Sequence, residues 1–440
     1  GGPRGSYDPS LSINFSQDHS ESPLNSIRIT GLPVITADTT SVFARYSQAF
    51  TSGTSFTLSY SAQRQKSNQR FLLFNPSVTS GMNFQINQQL LSGWGFSVNR
   101  RFERVAQQNR KTAVEVLRQF LMTGLAQAEN QYWDLVAARK RIQVAEQSLG
   151  AAERLLSDNQ RQAEIGTLPP LDVVAAQAEV AARRRDLIVA QTNEQLAELR
   201  LKNLFVKSMT DQLVAAPVTA VDQLPTPQDS DIPPLEQAIA TAMRNRPEIT
   251  AAEGNILNQQ VATEYTRRRL KPTLNVFGVL SSGGREGALG SALAQTLRYD
   301  YPEYAFGFSL SFLPHNRAAQ ADDMRARLDL RQAETGLERT RNQIRLEVRN
   351  AIIGLLQARA QVSAASRAVE LSLQTLDAEE KKLRAGTSVA YNVIRIERDV
   401  LNAQQAEVQA RVNYAKARVE LERATGMLLE HRGFPMEKFV

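Results

Sequence analysis

The sequence contains no cysteine. Disulfides and thiolate metal sites are therefore excluded, which agrees with an oxidising compartment without requiring one. No run of about twenty apolar residues occurs, so no transmembrane helix is expected. Histidine is scarce, at His19, His315 and His431 only. The three lie far apart and near no acidic cluster of ligand spacing, so neither a metal site nor a histidine-based catalytic site is expected. The glycine-rich stretch 281–290 lacks the Gly-Lys-Ser/Thr of a phosphate loop and reads as a flexible loop. Charge of one sign is nowhere concentrated: the net charge of +7 arises from 52 basic residues interspersed with 45 acidic ones. Arginine triplets at 183–185 and 267–269 read as solvated helix faces, so no nucleic-acid partner is expected. With no catalytic or cofactor-binding constellation, an enzyme is the least expected class. The chain starts without methionine or signal peptide and reads as a mature or trimmed product.

What is present is a duplication. Sliding Ala128–Leu201 along by 220 positions, without a gap, brings it onto Val348–Leu421. Leu135 meets Leu355, Arg139 meets Arg359, Gly166 meets Gly386, Thr167 meets Thr387 and Asn193 meets Asn413. Internal repeats of this kind set the architecture. Each copy carries a heptad. Val114, Leu121, Ala128, Leu135, Ile142, Leu149, Leu156 and Ala163 lie seven apart, with Gly124, Ala138, Ala145 and Ala152 three residues after. The second copy shows Val348, Leu355, Val362, Val369, Leu376 and Leu383, with Ala351, Ala358, Ala365 and Ser372. Such spacing predicts helices that supercoil on partners, with small residues allowing close approach. A helix from Arg104 to Glu164 would be about 90 Å long at 1.5 Å per residue. Gly166 and Gly386 then break the long helices, and shorter helices return over Leu171–Phe205 and Tyr391–Thr425. Taken alone, the heptads equally suit a soluble coiled-coil scaffold.

The stretch from Pro9 to Leu91 alternates instead. Leu11, Ile13 and Phe15 oppose serines and Asn14; Phe56, Leu58 and Tyr60 oppose Thr57, Ser59 and Ser61. With Val42–Phe50 and Phe84–Leu90 this predicts four strands of about ten residues. Two more strands are predicted at Leu274–Leu280 and Tyr304–Phe312. Strands apolar on one face and polar on the other fit a transmembrane barrel or a soluble sandwich; a sheet of few strands has edges to close. The divisions are thus 1–100 (strands of the first repeat), 101–206 (helical hairpin, tip near 166), 207–234 (a proline-rich connection), 235–270 (a single helix), 271–313 (strands of the second repeat), 314–426 (helical hairpin, tip near 386) and 427–440 (tail). Pro9-Ser10-Leu11 resembles Pro272-Thr273-Leu274, yet the two lie about 43 residues further apart than the tips do, enough for one added hairpin in the first repeat. The helix 235–270 has no counterpart before Pro9, so a complete duplication implies a helix and a targeting signal ahead of Gly1. The fold class is α+β, mostly α.

In this order of elements, in Glu236-Gln237-Ala238 through Asn245-Arg246-Pro247-Glu248, and in the tip regions Glu164–Val174 and Arg384–Ile394, the chain resembles the TolC-like outer-membrane efflux proteins. The resemblance covers nearly the whole chain. It implies a homotrimer whose strands close one transmembrane β-barrel in outer-membrane lipid and whose antiparallel helices form a tunnel through the periplasm. It further implies a passive duct, docked through its tips on a periplasmic adaptor protein and served by an inner-membrane efflux pump or an ABC transporter, as in type I secretion. The matching tip turns are Ile165-Gly166-Thr167 and Ala385-Gly386-Thr387. The positions matching the family's pore constriction are Asp172, Asn392 and Arg395. Asn392 and Arg395 stand where some members carry Asp, so a ring of arginines would favour anions. The family's usual four strands per protomer give a barrel of about twelve, whereas six give about eighteen. A soluble scaffold and a periplasmic adaptor are the competing readings; an adaptor carries one hairpin, and this chain carries two.

Overall fold

A computed structural model describes residues 5–25, 31–207 and 214–434. The chain divides into two compact units, one of Gly1–Thr112 with Ala252–Gly336, the other of Ala113–Ala251 with Leu337–Val440.

The first unit is built on β1 (Ser10–Pro23), β2 (Val34–Ala49), β3 (Thr54–Ser67), β4 (Ser77–Leu91), β5 (Thr273–Glu286) and β6 (Pro302–Ser311). All six belong to one antiparallel sheet in sequence order. The four N-terminal strands are present but run 14 to 16 residues, longer than expected. Beyond its apolar segment β1 continues as Gln17–Ser22, polar on both faces, where alternation gives no reading. The added hairpin is part of the same sheet as the other strands. The register carries the alternation across the whole sheet. Leu11, Tyr46, Leu58, Phe84, Leu280 and Tyr304 form one cross-strand row. Ile13, Ala44, Tyr60 and Met82 lie to one side of it on the same face, and Phe56, Ile86, Gly278 and Phe306 to the other. The intervening row, Ser12, Arg45, Ser59, Asn83, Ser281 and Glu303, projects to the opposite face. The sheet is thus mainly apolar on one side, with Gln48, Gln88 and Ser282 among the exceptions, and mainly polar on the other, which also carries Phe43, Phe277 and Val279. At the edges the apolar side is bare: Ile13 is 68% exposed and Phe306 86%.

The stretch 281–286, expected as loop, is the end of β5, and a short helix α6 (Leu289–Arg298) follows it. The glycines serve a close approach. A Cβ on Gly284 would stand 2.3 Å from the Ala292 carbonyl oxygen, and the Thr296 hydroxyl donates to the Ser80 carbonyl at 3.2 Å. Glycine inside a strand often marks such an approach of another backbone.

A short turn of helix, α1 (Phe96–Asn99), precedes α2 (Arg101–Glu164); α3 (Pro170–Phe205), α4 (Leu235–Asn245), α5 (Pro247–Arg269), α7 (Arg317–Arg384), α8 (Ala390–Thr425) and α9 (Leu428–His431) complete the helices. The duplication is kept in three dimensions. α2 and α7 end 220 residues apart, and α3 and α8 begin and end 220 residues apart. In the second unit Leu135, Ala138, Ala145 and Ala152 are buried, as are Leu355, Val362 and Ala358. Gly124 is exposed, however, and Met122 and Ala126 are buried in its place. A straight helix drifts by about 20° per heptad against a strict seven-residue repeat, so the seam migrates. Packing crosses the repeats: Ala137 meets Val408 and Val412, and Ala126 meets Val419 and Leu428.

Two further expectations are corrected. The helix 235–270 is broken at Arg246, which is extended (φ −75°, ψ 120°) ahead of Pro247, because proline's ring disfavours the helical conformation before it. Arg246 is only 4% exposed; it pairs with Glu248 at 2.8 Å and Glu347 at 2.9 Å and donates to the Ala424 carbonyl at 3.2 Å. The segment 427–434 is packed rather than a tail: Leu428 and Leu429 are buried, and Arg432 pairs with Glu129 at 2.7 Å. Residues 435–440 lie outside the described residues, as do 208–213 of the proline-rich connection. The rest of that connection is without strand or α-helix, has a short 3-10 turn at Asp229–Asp231, and is tied down: the Tyr132 hydroxyl donates to Asp222 at 2.6 Å and Arg359 to Asp229 at 2.8 Å.

Candidate functional site at the helix tips

Both tips close by the same local chemistry. Gly166 has φ +81° and Gly386 φ +71°, the left-handed conformation that glycine adopts without strain. The Gly166 N–H donates to the Ala163 carbonyl at 3.0 Å and the Thr167 N–H to the Gln162 carbonyl at 2.9 Å. Gly386 and Thr387 repeat this with the Leu383 and Lys382 carbonyls at 3.0 Å each. This pattern satisfies carbonyls left over at a helix end. Each threonine hydroxyl also donates to the same carbonyl as its own N–H, at 2.9 and 3.1 Å. Ile165, Gly166, Thr167, Ala385, Gly386 and Thr387 are all exposed. So are Leu171, Val389 and Tyr391, which give each tip an apolar surface.

Asp172 and Asn392 lie half-buried in the first turns of α3 and α8, and Arg395 is exposed one turn further along α8. The Asn392 amide donates to the Ser388 hydroxyl at 3.3 Å, and that hydroxyl donates to Glu379. The Ser388 hydrogen bond, then that from Lys382, holds the Glu379 carboxyl below the usual carboxylate range.

The polar link between α3 and α8 lies at residues that the sequence pattern does not single out. Glu179, on α3, is 2% exposed. Arg183 donates to it at 2.8 Å, and Arg398 of α8 binds both of its oxygens. Burial is the largest influence on Glu179 and pushes upward, but the hydrogen bonds from Arg398 and Arg183 together outweigh it and hold the carboxyl low. Half-buried Glu397 is pushed up to about 7, first by burial and then by the negative charges of Glu179 and Glu380. The Glu179–Arg183 spacing of four is a legible helix pair; the partnership with Arg398, 219 residues away, carries no local signature. His19 also differs from expectation, since Asp38 lies 2.6 Å and Glu21 3.5 Å from its ring nitrogens. Among the described residues no group of three side chains is arranged to hold a metal.

The family model described as Outer membrane efflux protein matches residues 54–205 and 238–427, both helical hairpins and most of the sheet. The chain belongs to the outer membrane efflux protein family. Among relatives, it is 25% identical over 314 residues to the pyoverdine export outer membrane protein OpmQ of Pseudomonas aeruginosa, covering 70% of this chain and 61% of that one. It is 24% identical over 323 residues to the alkaline protease secretion protein AprF of the same species, covering 72% and 60%. The chain thus spans about three fifths of the length of these two relatives. The fold matches the Campylobacter jejuni CmeC outer membrane channel with a TM-score of 0.66 at 16% identity, over 97% of this chain and 79% of that one. This efflux-protein fold accounts for both the sheet and the paired hairpins.

Proposed function

We propose that three copies of this chain form a passive export duct, with the sheets sharing one barrel in the outer membrane and the helices extending into the periplasm. The observation that carries this reading is the sheet with one apolar face and two open edges. In lipid, unpaired backbone groups cost several kcal/mol each, and only a closed barrel removes sheet edges. A soluble coiled-coil scaffold leaves that face without a purpose. Cargo enters from an inner-membrane pump or ABC transporter through a periplasmic adaptor protein, docked on the tips at Ile165, Gly166, Thr167, Ala385, Gly386 and Thr387. Asp172, Asn392 and Arg395 form the constriction near the tips. The two relatives are named for the export of pyoverdine and for the secretion of alkaline protease, so relationship alone does not choose the cargo.

Membrane fractionation and light scattering of the detergent-extracted particle, corrected for bound detergent, test the reading. A trimer from the outer membrane is expected. A monomer or dimer in the soluble fraction without detergent overturns it and favours the scaffold. Gly166→Pro and Gly386→Pro are expected to impair docking or opening at normal trimer levels, and unchanged export by both removes the tips from the mechanism.

A further inference from the structure

We infer that the shared barrel has eighteen strands, closed by β1 of each copy pairing antiparallel with β6 of the next, six residues out of row. This rests on the trimeric duct proposed above and specifies how its copies join.

The first observation is that the added hairpin is no appendage. β2 and β3 lie inside the meander, hydrogen-bonded along their whole lengths to β1, to each other and to β4. Removing them from a barrel wall would break the pairing on both sides. Among the described residues the open edges are therefore those of β1 and β6, and the strand count is even. β1 and β6 run in opposite directions, so copies turned about a common axis can join edge to edge without a parallel contact.

The second observation is a stagger. Follow the row that starts at Ser10: it passes Ser47, Thr57, Gln85 and Val279 and reaches Ala305. Measured from that row, the helix-side end lies two residues beyond it on β2, three on β3, and six on each of β4, β5 and β6. β1 begins on the row, at Ser10, whereas β6 ends six residues beyond it, at Ser311. A membrane slab requires the helix-side ends to lie level, so Ser10 of the next copy belongs opposite Ser311. Six residues are about 20 Å along a strand, and six strand spacings are about 29 Å across it. The resulting tilt is about 35°, at the lower end of the range for membrane barrels.

The third observation is chemical. The level that aligns the ends also matches the faces, which nothing in the stagger requires. Leu11 then faces Leu310, Ile13 faces Phe308 and Phe15 faces Phe306, all on the apolar side. Ser12 faces Ser309 on the polar side. A shift by one residue would set Leu11, Ile13 and Phe15 beside the small residues of the other face of β6, Ala305, Gly307, Ser309 and Ser311, and put their side chains on opposite faces. The edge residues are the barest of the apolar face, Phe308 at 72% and Phe15 at 68%, as expected of surface that joins a continuous lipid-facing band. At this tilt eighteen strands enclose a barrel about 34 Å across between backbones, against about 23 Å for twelve. The exit is then more than twice as wide in area as the twelve-stranded form.

Absence of native cysteine makes the test direct. Ser309→Cys is combined in turn with Ser10→Cys, Ser12→Cys, Asn14→Cys or Ser16→Cys, and outer membranes are oxidised before denaturing electrophoresis. The expected result is a band of three times the chain mass that collapses with reductant, strongest for Ser12. A second set joins Ser309→Cys to Thr57→Cys or Ser59→Cys, as a twelve-stranded barrel closed by β3 would require; no covalent trimer is expected there. Trimers by light scattering that cross-link only in the second set, or in neither, overturn the eighteen-stranded barrel while leaving the duct. Absence of any trimer in the membrane overturns the duct itself.

Discussion

α3 and α8 are the same helix twice. Both have 36 residues, and both start six residues after a long helix ends at a left-handed glycine. Their surroundings differ. α8 buries fifteen residues, including Val408, Val412, Tyr414 and Val419, whereas α3 buries Ala176, Glu179, Val180, Arg183 and Leu201 only. At matched positions Val408 is 5% exposed against 62% for Ile188, and Val419 2% against 45% for Leu199. Duplication copied the local structure, and tertiary packing then gave one copy a central place and the other a half-covered one. In the trimeric duct proposed above, a neighbouring copy would cover the apolar stripe left bare on α3.

Four measurements can break or sharpen this contrast. The largest effect is expected from Glu179→Ala, which leaves Arg183 buried without its main partner. Breaking such a pair costs about 3 kcal/mol, read by denaturant unfolding. Its repeat counterpart Asp399 is exposed, so Asp399→Ala should change stability by less than about 0.5 kcal/mol. Equal losses would mean that the two helices are equivalent after all.

Next comes Glu397, whose counterpart on α3 is Gln177. With its carboxyl pushed up to about 7, the folded chain holds a proton that the unfolded chain releases near pH 4.5. Its contribution is complete below that pH, declines as pH rises to about 7 and is flat above, by about 3 kcal/mol in all. Glu397→Gln, which gives α8 the residue of α3, should flatten unfolding curves recorded between pH 4.5 and 7. An unaltered slope would remove Glu397 as its source.

Val408→Ala and Val419→Ala should each cost about 1–2 kcal/mol. Ile188→Ala and Leu199→Ala should cost less than about 0.5 kcal/mol in the dissociated chain yet reduce the yield of trimer. Loss of stability without loss of trimer at Ile188 would show that α3 is not an inter-copy surface. Smallest, and equal in both repeats, is the effect of Gly166→Ala and Gly386→Ala. An added Cβ meets nothing within 4 Å at either tip, so only backbone strain of about 1 kcal/mol is expected. Unequal melting shifts would contradict identical tips.

The legible parts of the fold are those held by neighbours in sequence. The glycine turns close through bonds between residues three and five apart, so Gly166 and Gly386 announce them. Alternation announced six strands. The parts that were not legible depend on distant partners. Gly284 looks like part of a loop until α6 is seen against it. Arg246 and Pro247 break a helix whose pattern reads straight through, and the segment after Gly426 looks like a tail until Leu428 is found buried. Of the tips, the exposed turn residues could be read from sequence. The Glu179–Arg398 tie between repeats could not, because the duplication relates Glu179 to Asp399 and Arg398 to Ala178.

The amino-acid sequence alone determined the repeat, the helix ends at the two tips, the strand faces and the absence of thiol chemistry, since each follows from spacing within a few residues or from composition. Tertiary structure decided which repeat's return helix lies at the centre, which charges are buried, and that the added hairpin belongs to the sheet. Those outcomes depend on strand pairing and packing between segments far apart in the chain, where local spacing carries no information about the partner.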